Sequence, residues 1–197
     1  MGGAGWLAFH PRDPANRGPR LATRLALAAG IAILFAAGGA GGQSIDEIQF
    51  KAAFIYNVAK FVEWPPAAFK SPTDPLVSCI LGDSPVESVL AQATSDKAIG
   101  GRKFVARQIS AVGQAAGCHI LFVSSSQRKR WRSMADAVKD RGVLTVGESE
   151  GFAADGGVIN FKPEGDRIRI QVNLEAARRE GLQLSSKLLS VSEIVKY

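Results

Sequence analysis

The sequence predicts a single α/β domain: a mixed β-sheet of about five or six strands flanked by helices, with a carboxyl-terminal β-hairpin followed by helices. Three observations carry this. Short, wholly apolar runs end in turn residues at 76–83, 118–124 and 143–148. Capped or amphipathic helical segments separate them. A stretch of strict two-residue alternation then occupies 158–173. Buried runs alternating with helices indicate parallel strands joined by crossovers, and the alternating stretch adds an antiparallel pair.

The first element, "SIDEIQFKAAFIYNVAKFVEW" (44–64), opens with Ser44 and Glu47 in capping-box spacing. Ile48, Ala52, Ile55, Ala59 and Val62 form one helical stripe; Phe50, Phe54 and Phe61 form a second beside it, and Gln49, Asn57 and Lys60 keep the remaining side wet. So wide an apolar arc predicts a helix covered on two sides. Pro65 and Pro66 are its expected stop, because a proline ring cannot continue the hydrogen-bond ladder. After the 76–83 run, Ser84, Pro85 and Glu87 stand at N-cap, first-turn and capping-box positions of a second helix. "GRKFVARQI" (101–109) reads as a strand, as does 118–124. In 126–142, Trp131, Met134, Ala135 and Val138 recur at helical spacing before Gly142. A strand at 143–148 follows. The hairpin is expected to turn around Pro163–Asp166, pairing Lys162 with Arg167, Phe161 with Ile168 and Ile159 with Ile170. Arg167, Arg169 and Gln171 then alternate to the wet face. Asn173 caps a short helix closed by Gly181, and a last amphipathic helix is expected over Ser185–Val195.

The first 42 residues read differently. Arg12, Arg17, Arg20 and Arg24 precede the apolar run Leu25–Ala40, and small residues follow. This is the pattern of a secretory signal peptide, with a cut expected near Ala40. The run is shorter than the roughly 20 residues a spanning helix needs, and an uncleaved signal-anchor is the alternative. The remainder, 43–197, carries 20 Lys and Arg against 17 Asp and Glu, a net +3 where the whole chain has +6. That balance gives no concentrated basic footprint for nucleic acid. Its two cysteines, Cys79 and Cys118, read as a disulfide in an exported protein; two buried free thiols are the other reading.

Catalytic furniture is sparse. His119 is the one histidine beyond residue 42, and it neighbours Cys118. Successive strand residues point to opposite faces, which argues against a Cys–His nucleophile. A thiol oxidoreductase would need exposed thiols, whereas both cysteines lie in apolar runs that raise a thiol's pKa. No metal-ligand spacing occurs, and no cofactor is implied. Asp83 ends a strand, where α/β folds often place ligand contacts, so it is the candidate ligand contact; an ordinary turn aspartate is the alternative. Arg128, Lys129 and Arg130 occupy a helix's first turn, where the macrodipole disfavours cations by about 0.3–1 kcal/mol each. They form a candidate anion-facing partner patch or a solvated charge run. Phe61, Trp64 and Phe69 bracket the proline stop. They are either core packing or a second candidate contact, since aromatic anchors carry much interface energy.

Taken together, "KAAFIYNVAKFVEWP", "CILGDSP", "GCHILFVSSSQ" and "VLTVGESEGFAADGGVINFKPEGDRIRIQVNLEAARREGLQLSSKLLSVSEIV" resemble the YfiR-type periplasmic proteins over about 44–195. The resemblance implies a periplasmic regulator without catalytic activity that binds the periplasmic region of an inner-membrane diguanylate cyclase and restrains it. Release then raises cyclic di-GMP and favours attached growth in biofilms. It also implies an outer-membrane lipoprotein able to sequester the repressor, and a homodimer is a further expected partner. Relatives standing beside sensor kinases or receptors make a small-molecule-binding sensor module the alternative. Cys79 and Cys118 stand at the positions of the family's strand-to-strand bridge. Some members carry a second cysteine pair nearer the carboxyl end; "LTVGESEGFAADGG" has none.

Overall fold

The structure, a computed structural model, describes residues 44–165 and 167–196; the expected signal peptide and its cut near Ala40 lie outside them. In chain order the strands are β1 (Val62–Glu63), β2 (Leu76–Leu81), β3 (Ala98–Ile99), β4 (Arg102–Ile109) and β5 (Ile120–Val123), then β6 (Leu144–Gly147), β7 (Ile159–Glu164), β8 (Arg167–Asn173), β9 (Gln183–Leu184) and β10 (Glu193–Val195). The helices are α1 (Ile45–Val58), α2 (Val86–Thr94), α3 (Arg128–Met134), α4 (Leu174–Arg179) and α5 (Ser186–Ser190).

Five parallel strands form the centre of one sheet, in the order β4-β2-β5-β6-β7. Among the described residues the sheet has eight strands, ordered β10-β8-β7-β6-β5-β2-β4-β3. Six of these are the strands the sequence indicates. The additional two, β3 and β10, are two- and three-residue edges too short to leave a periodic signal.

Alternation along the central strands builds a core on each face. Ile80, Ile120, Phe122, Leu144 and Val146 pack with Ala52, Ile55 and Val58 of α1 and with Val86 and Leu90 of α2. Cys79, Leu81, Leu121 and Val123 pack the other way, with Trp131, Met134, Val138 and Phe152. Covering both faces turns a two-residue period into a continuous apolar run. Each such Leu, Ile or Phe, when fully buried, contributes roughly 1.5–3 kcal/mol. Phe152 shows how tight the second core is. It stacks on Trp131 with centroids 4.5 Å apart, and a Cβ at Gly147 or Gly157 would come within 2.3 or 2.1 Å of its ring.

The structure corrects several expectations. α1 ends at Val58, well before the prolines; one 3₁₀ turn, Ala59–Phe61, leads into β1. β1 pairs antiparallel with β9, Val62 with Leu184 and Glu63 with Gln183. Val62 is β-branched and Trp64 precedes a proline, so both disfavour continued helix, and the pairing takes up the freed backbone. In the same way the expected last helix stops at Ser190. Glu193–Val195 instead joins β8 in parallel, satisfying an edge that a helix would leave open. The 126–142 helix is a single α segment, α3, between two 3₁₀ turns. Finally, the hairpin turn is tighter than expected. Glu164 pairs with Arg167, Phe161 with Ile170 and Ile159 with Val172. Gly165, at φ +59°, adopts the left-handed conformation such a two-residue connection uses. The two-residue slip preserves which side chains share a face, because the strand period is two.

Candidate functional site

Chain order reverses between β2 and β5: β2 leads to β4 on one side, while β5, β6 and β7 follow on the other. Folds of this kind place ligands in the crevice at that switch point, outside the carboxyl ends of the strands. Here the crevice is filled. Gly82 turns at φ +92°, and a Cβ there would lie 2.5 Å from Ser126 Oγ and 2.6 Å from Ser124 Oγ. The two hydroxyls are hydrogen-bonded at 2.6 Å. Ser126 Oγ accepts from the Asp83 backbone N–H at 3.1 Å, and the Ser124 N–H donates to the Leu81 carbonyl. Asp83 therefore stands exposed at the end of β2, its backbone stitched to the loop after β5. The serines close the crevice.

One strand further along, the carboxyl ends of β5 and β6 hold a buried charge cluster. Lys51, on α1, has its side chain 3% exposed; it bonds Glu148, 4% exposed, at 2.5 Å, and also pairs with Glu47. The other Glu148 oxygen accepts the Ser125 N–H at 2.8 Å. Sequence reasoning passed over Lys51. Its i,i+4 spacing from Glu47 was visible, but the partner that allows a lysine into the apolar arc is 97 residues away. Next to this cluster is a cleft of about 530 Å³ whose lining includes Glu148, Glu150, Asn160, Lys162 and Gln171. A polar row crosses its floor: Asn160 donates to Gln171 at 3.2 Å, and Gln171 donates to Glu193 at 3.4 Å. Asn160 Oδ1 is buried without a hydrogen-bond partner. Gln171, expected on the wet face, is 8% exposed, its side chain held between Asn160 and Glu193. Amides, carboxylates and a lysine arranged this way suit polar recognition. Among the described residues no group of three or more His, Cys, Asp or Glu could hold a metal ion.

The aromatic candidates gather elsewhere, around His119. The Trp64 indole N–H donates to the His119 carbonyl at 3.2 Å. Phe69 stacks on the imidazole at 4.3 Å, with the Arg102 guanidinium 3.7 Å from the Phe69 ring centroid. Arg102 in turn donates to the carbonyls of Ser71 and Asp74, both at 2.9 Å. Phe61 packs half-buried against the α1-side core. Arg128 pairs with Glu150 at the cleft rim, at 2.9 Å with both side chains exposed, while Lys129 and Arg130 are exposed on α3. Cys79 and Cys118 are joined as a disulfide. Arg107 lies along it, donating to both sulfurs at 3.2 and 3.4 Å and to the carbonyls of Gln114 and Ala116.

His119 has a defined tautomer. Its Nδ1 accepts from the Val77 N–H at 3.1 Å, so Nε2 carries the proton and donates to the Ala68 carbonyl at 3.0 Å. Burial pushes the imidazole below its usual range; the bond to Ala68 and the charge of Asp74 oppose this, and Arg102 adds to it. The unfolded chain therefore binds this proton more readily than the folded one. Stability from this group is complete above the unfolded value of about 6.5 and is lost as pH falls toward the lower folded value. Urea unfolding should show a larger loss between pH 7.5 and pH 5 for the native chain than for His119→Asn, whose Oδ1 can take the Val77 N–H without titrating. Equal losses would remove His119 as the cause.

The model of the family described as YfiR/HmsC-like matches residues 48–193. No curated protein matches the chain. Among solved structures, a conserved domain protein from Vibrio cholerae O1 biovar El Tor is similar at 11% identity and a TM-score of 0.52; the match covers 76% of this chain and 60% of that one. The ABC domain in complex with L-Trp from Streptococcus pneumonia matches at 9% identity and a TM-score of 0.46, covering 75% and 60%. The chain thus spans three-fifths of the length of each structure. The Vibrio likeness shows the fold alone. No helix among the described residues is long and apolar enough to cross a membrane.

Proposed function

The chain belongs to the YfiR/HmsC-like family, and from that premise we propose that it is a non-enzymatic periplasmic regulator. It binds the periplasmic part of an inner-membrane signalling protein, a diguanylate cyclase before a sensor kinase, and restrains it, so lowering cyclic di-GMP output. An outer-membrane lipoprotein that sequesters the regulator would relieve the restraint. The observation that carries this reading is the family match over 48–193, nearly the whole described domain. Two features support it. A disulfide linking β2 to the residue pair before β5 suits an oxidising compartment. The usual ligand crevice is closed by Gly82 and the serines, which leaves outer surfaces for contact. With two cysteines in the whole sequence, any redox response runs through this one bridge.

Affinity purification from detergent-solubilised membranes of the parent organism tests the reading. A protein with a periplasmic region and a cytoplasmic cyclase or kinase domain should co-purify with the tagged chain and be lost when the chain is unfolded first. Its absence counts against a membrane partner.

The unpaired Asn160 Oδ1 in the 530 Å³ cleft favours a second reading, a sensor module for a small polar ligand serving a histidine kinase or receptor. A ligand that raises the melting temperature of the native chain but not of Asn160→Leu would favour it.

A further inference from the structure

The groove between α1 and α2 bears on the contact surface. Lys60 and Lys97 come from different parts of the chain, yet their ammonium groups lie 4.5 and 5.3 Å from the centroid of the Tyr56 ring. Lys60 also donates to Asn57 Oδ1 at 2.9 Å. Among the described residues neither lysine has a carboxylate within ion-pair distance, although the fold pairs Lys51, Arg128, Arg132, Arg169 and Arg179. Two cations lining one groove without a carboxylate in ion-pair distance give it a positive potential, which favours an incoming carboxylate.

The rest of the groove is built for close approach. Ala52, Ala53, Val89 and Ala93 are among its lining, in a volume of about 480 Å³. Small side chains on two neighbouring helices let a third backbone settle between them. Tyr56 is held in place from beneath, edge-on to the buried Phe104 at 5.3 Å. From Gln49 to Asn57 the lining follows α1 for about 12 Å at 1.5 Å per residue, a little over two turns, and Lys60 on the following 3₁₀ turn extends it. Trp64 and Phe69, by contrast, are engaged with His119 and Arg102.

We infer that this groove is the docking surface for the membrane partner: it seats an amphipathic helix of the partner's periplasmic part, small apolar residues against the alanines and an acidic residue at Lys60 and Lys97. The inference rests on the regulatory reading above and names the surface that reading leaves open.

Photo-crosslinking in the parent organism tests it, using the full chain with p-benzoylphenylalanine placed at Ala53 or Gln92, or at Lys129 on α3. The groove positions should attach an inner-membrane protein, and mass spectrometry of the joined peptides should place the attachment on an acidic, amphipathic helical stretch. Lys60→Glu with Lys97→Glu should lower the adduct yield about tenfold, while the double Arg variant keeps it. A melting curve of each variant checks that it is folded. Adducts from Lys129 but not from the groove would overturn the surface and leave the regulator reading standing. So would adducts joining the groove to a second copy or to residues 1–43, or a yield indifferent to charge reversal in a folded chain. No membrane-protein adduct from any position would contradict both.

Discussion

Replacing Cys79 and Cys118 together by alanine is expected to lower the unfolding free energy by about 4 kcal/mol. The bridge joins residues 39 apart in sequence, and closing a loop of that size removes much of the unfolded chain's freedom while leaving native contacts nearly intact. Both residues are buried in the core that faces α3, and alanine is close enough in volume to leave only a small void. A domain of this size is commonly stable by about 5–15 kcal/mol, so the loss is a large share of the whole. Urea unfolding of the oxidised native chain against the double variant measures it. The denaturant slope should also rise, because an unbridged unfolded chain exposes more surface. A loss below about 1 kcal/mol would mean that the bridge constrains little, and that the apolar packing of β2 against β5 holds this part of the sheet.

Lys51→Met is the second large effect, an expected loss of about 3–5 kcal/mol. The methionine fills the space, but the almost wholly enclosed Glu148 loses its ion pair with Lys51, while the Ser125 N–H still bonds to it. Neutralising Glu148 as well should restore most of the stability: in Lys51→Met with Glu148→Gln, the glutamine carbonyl still accepts from Ser125 and the charge that Lys51 balanced is gone. The recovery is the informative part, since it distinguishes a lost ion pair from lost packing. If the double variant is as unstable as the sum of the two singles, the pair is not coupled and the cluster does not set the position of α1. That position matters for the proposed docking surface, because α1 supplies one wall of the groove that carries Tyr56 and Lys60.

Much of the fold could be read from local chemistry. Ser44 and Asn173 cap α1 and α4 as their side chains suggest, accepting from the N–H groups of Glu47 and Ala176. The runs at 76, 118 and 143 become adjacent parallel strands, since short apolar runs bounded by turn residues suit a sheet buried on both faces. What stayed hidden depends on distant partners. Nothing near Val62 announces Leu184, and nothing near Ile194 announces Val172. The site was less legible than the fold. Asp83 was placed correctly at a strand end, but the closure of its crevice depends on how near the serines after β5 come to Gly82. Lys51 and Asn160 looked like ordinary members of a helix and a strand until Glu148 and Gln171 were brought beside them.

Cyclic di-GMP measured in a strain lacking this chain, and then in the same strain given either residues 1–197 or residues 43–197 made without a leader, is the most direct test of a periplasmic restraint. Nucleotide levels should rise on deletion, return to the starting level with the full chain, and stay high with the leaderless one. Unchanged levels on deletion, or equal rescue by the leaderless chain, would contradict it.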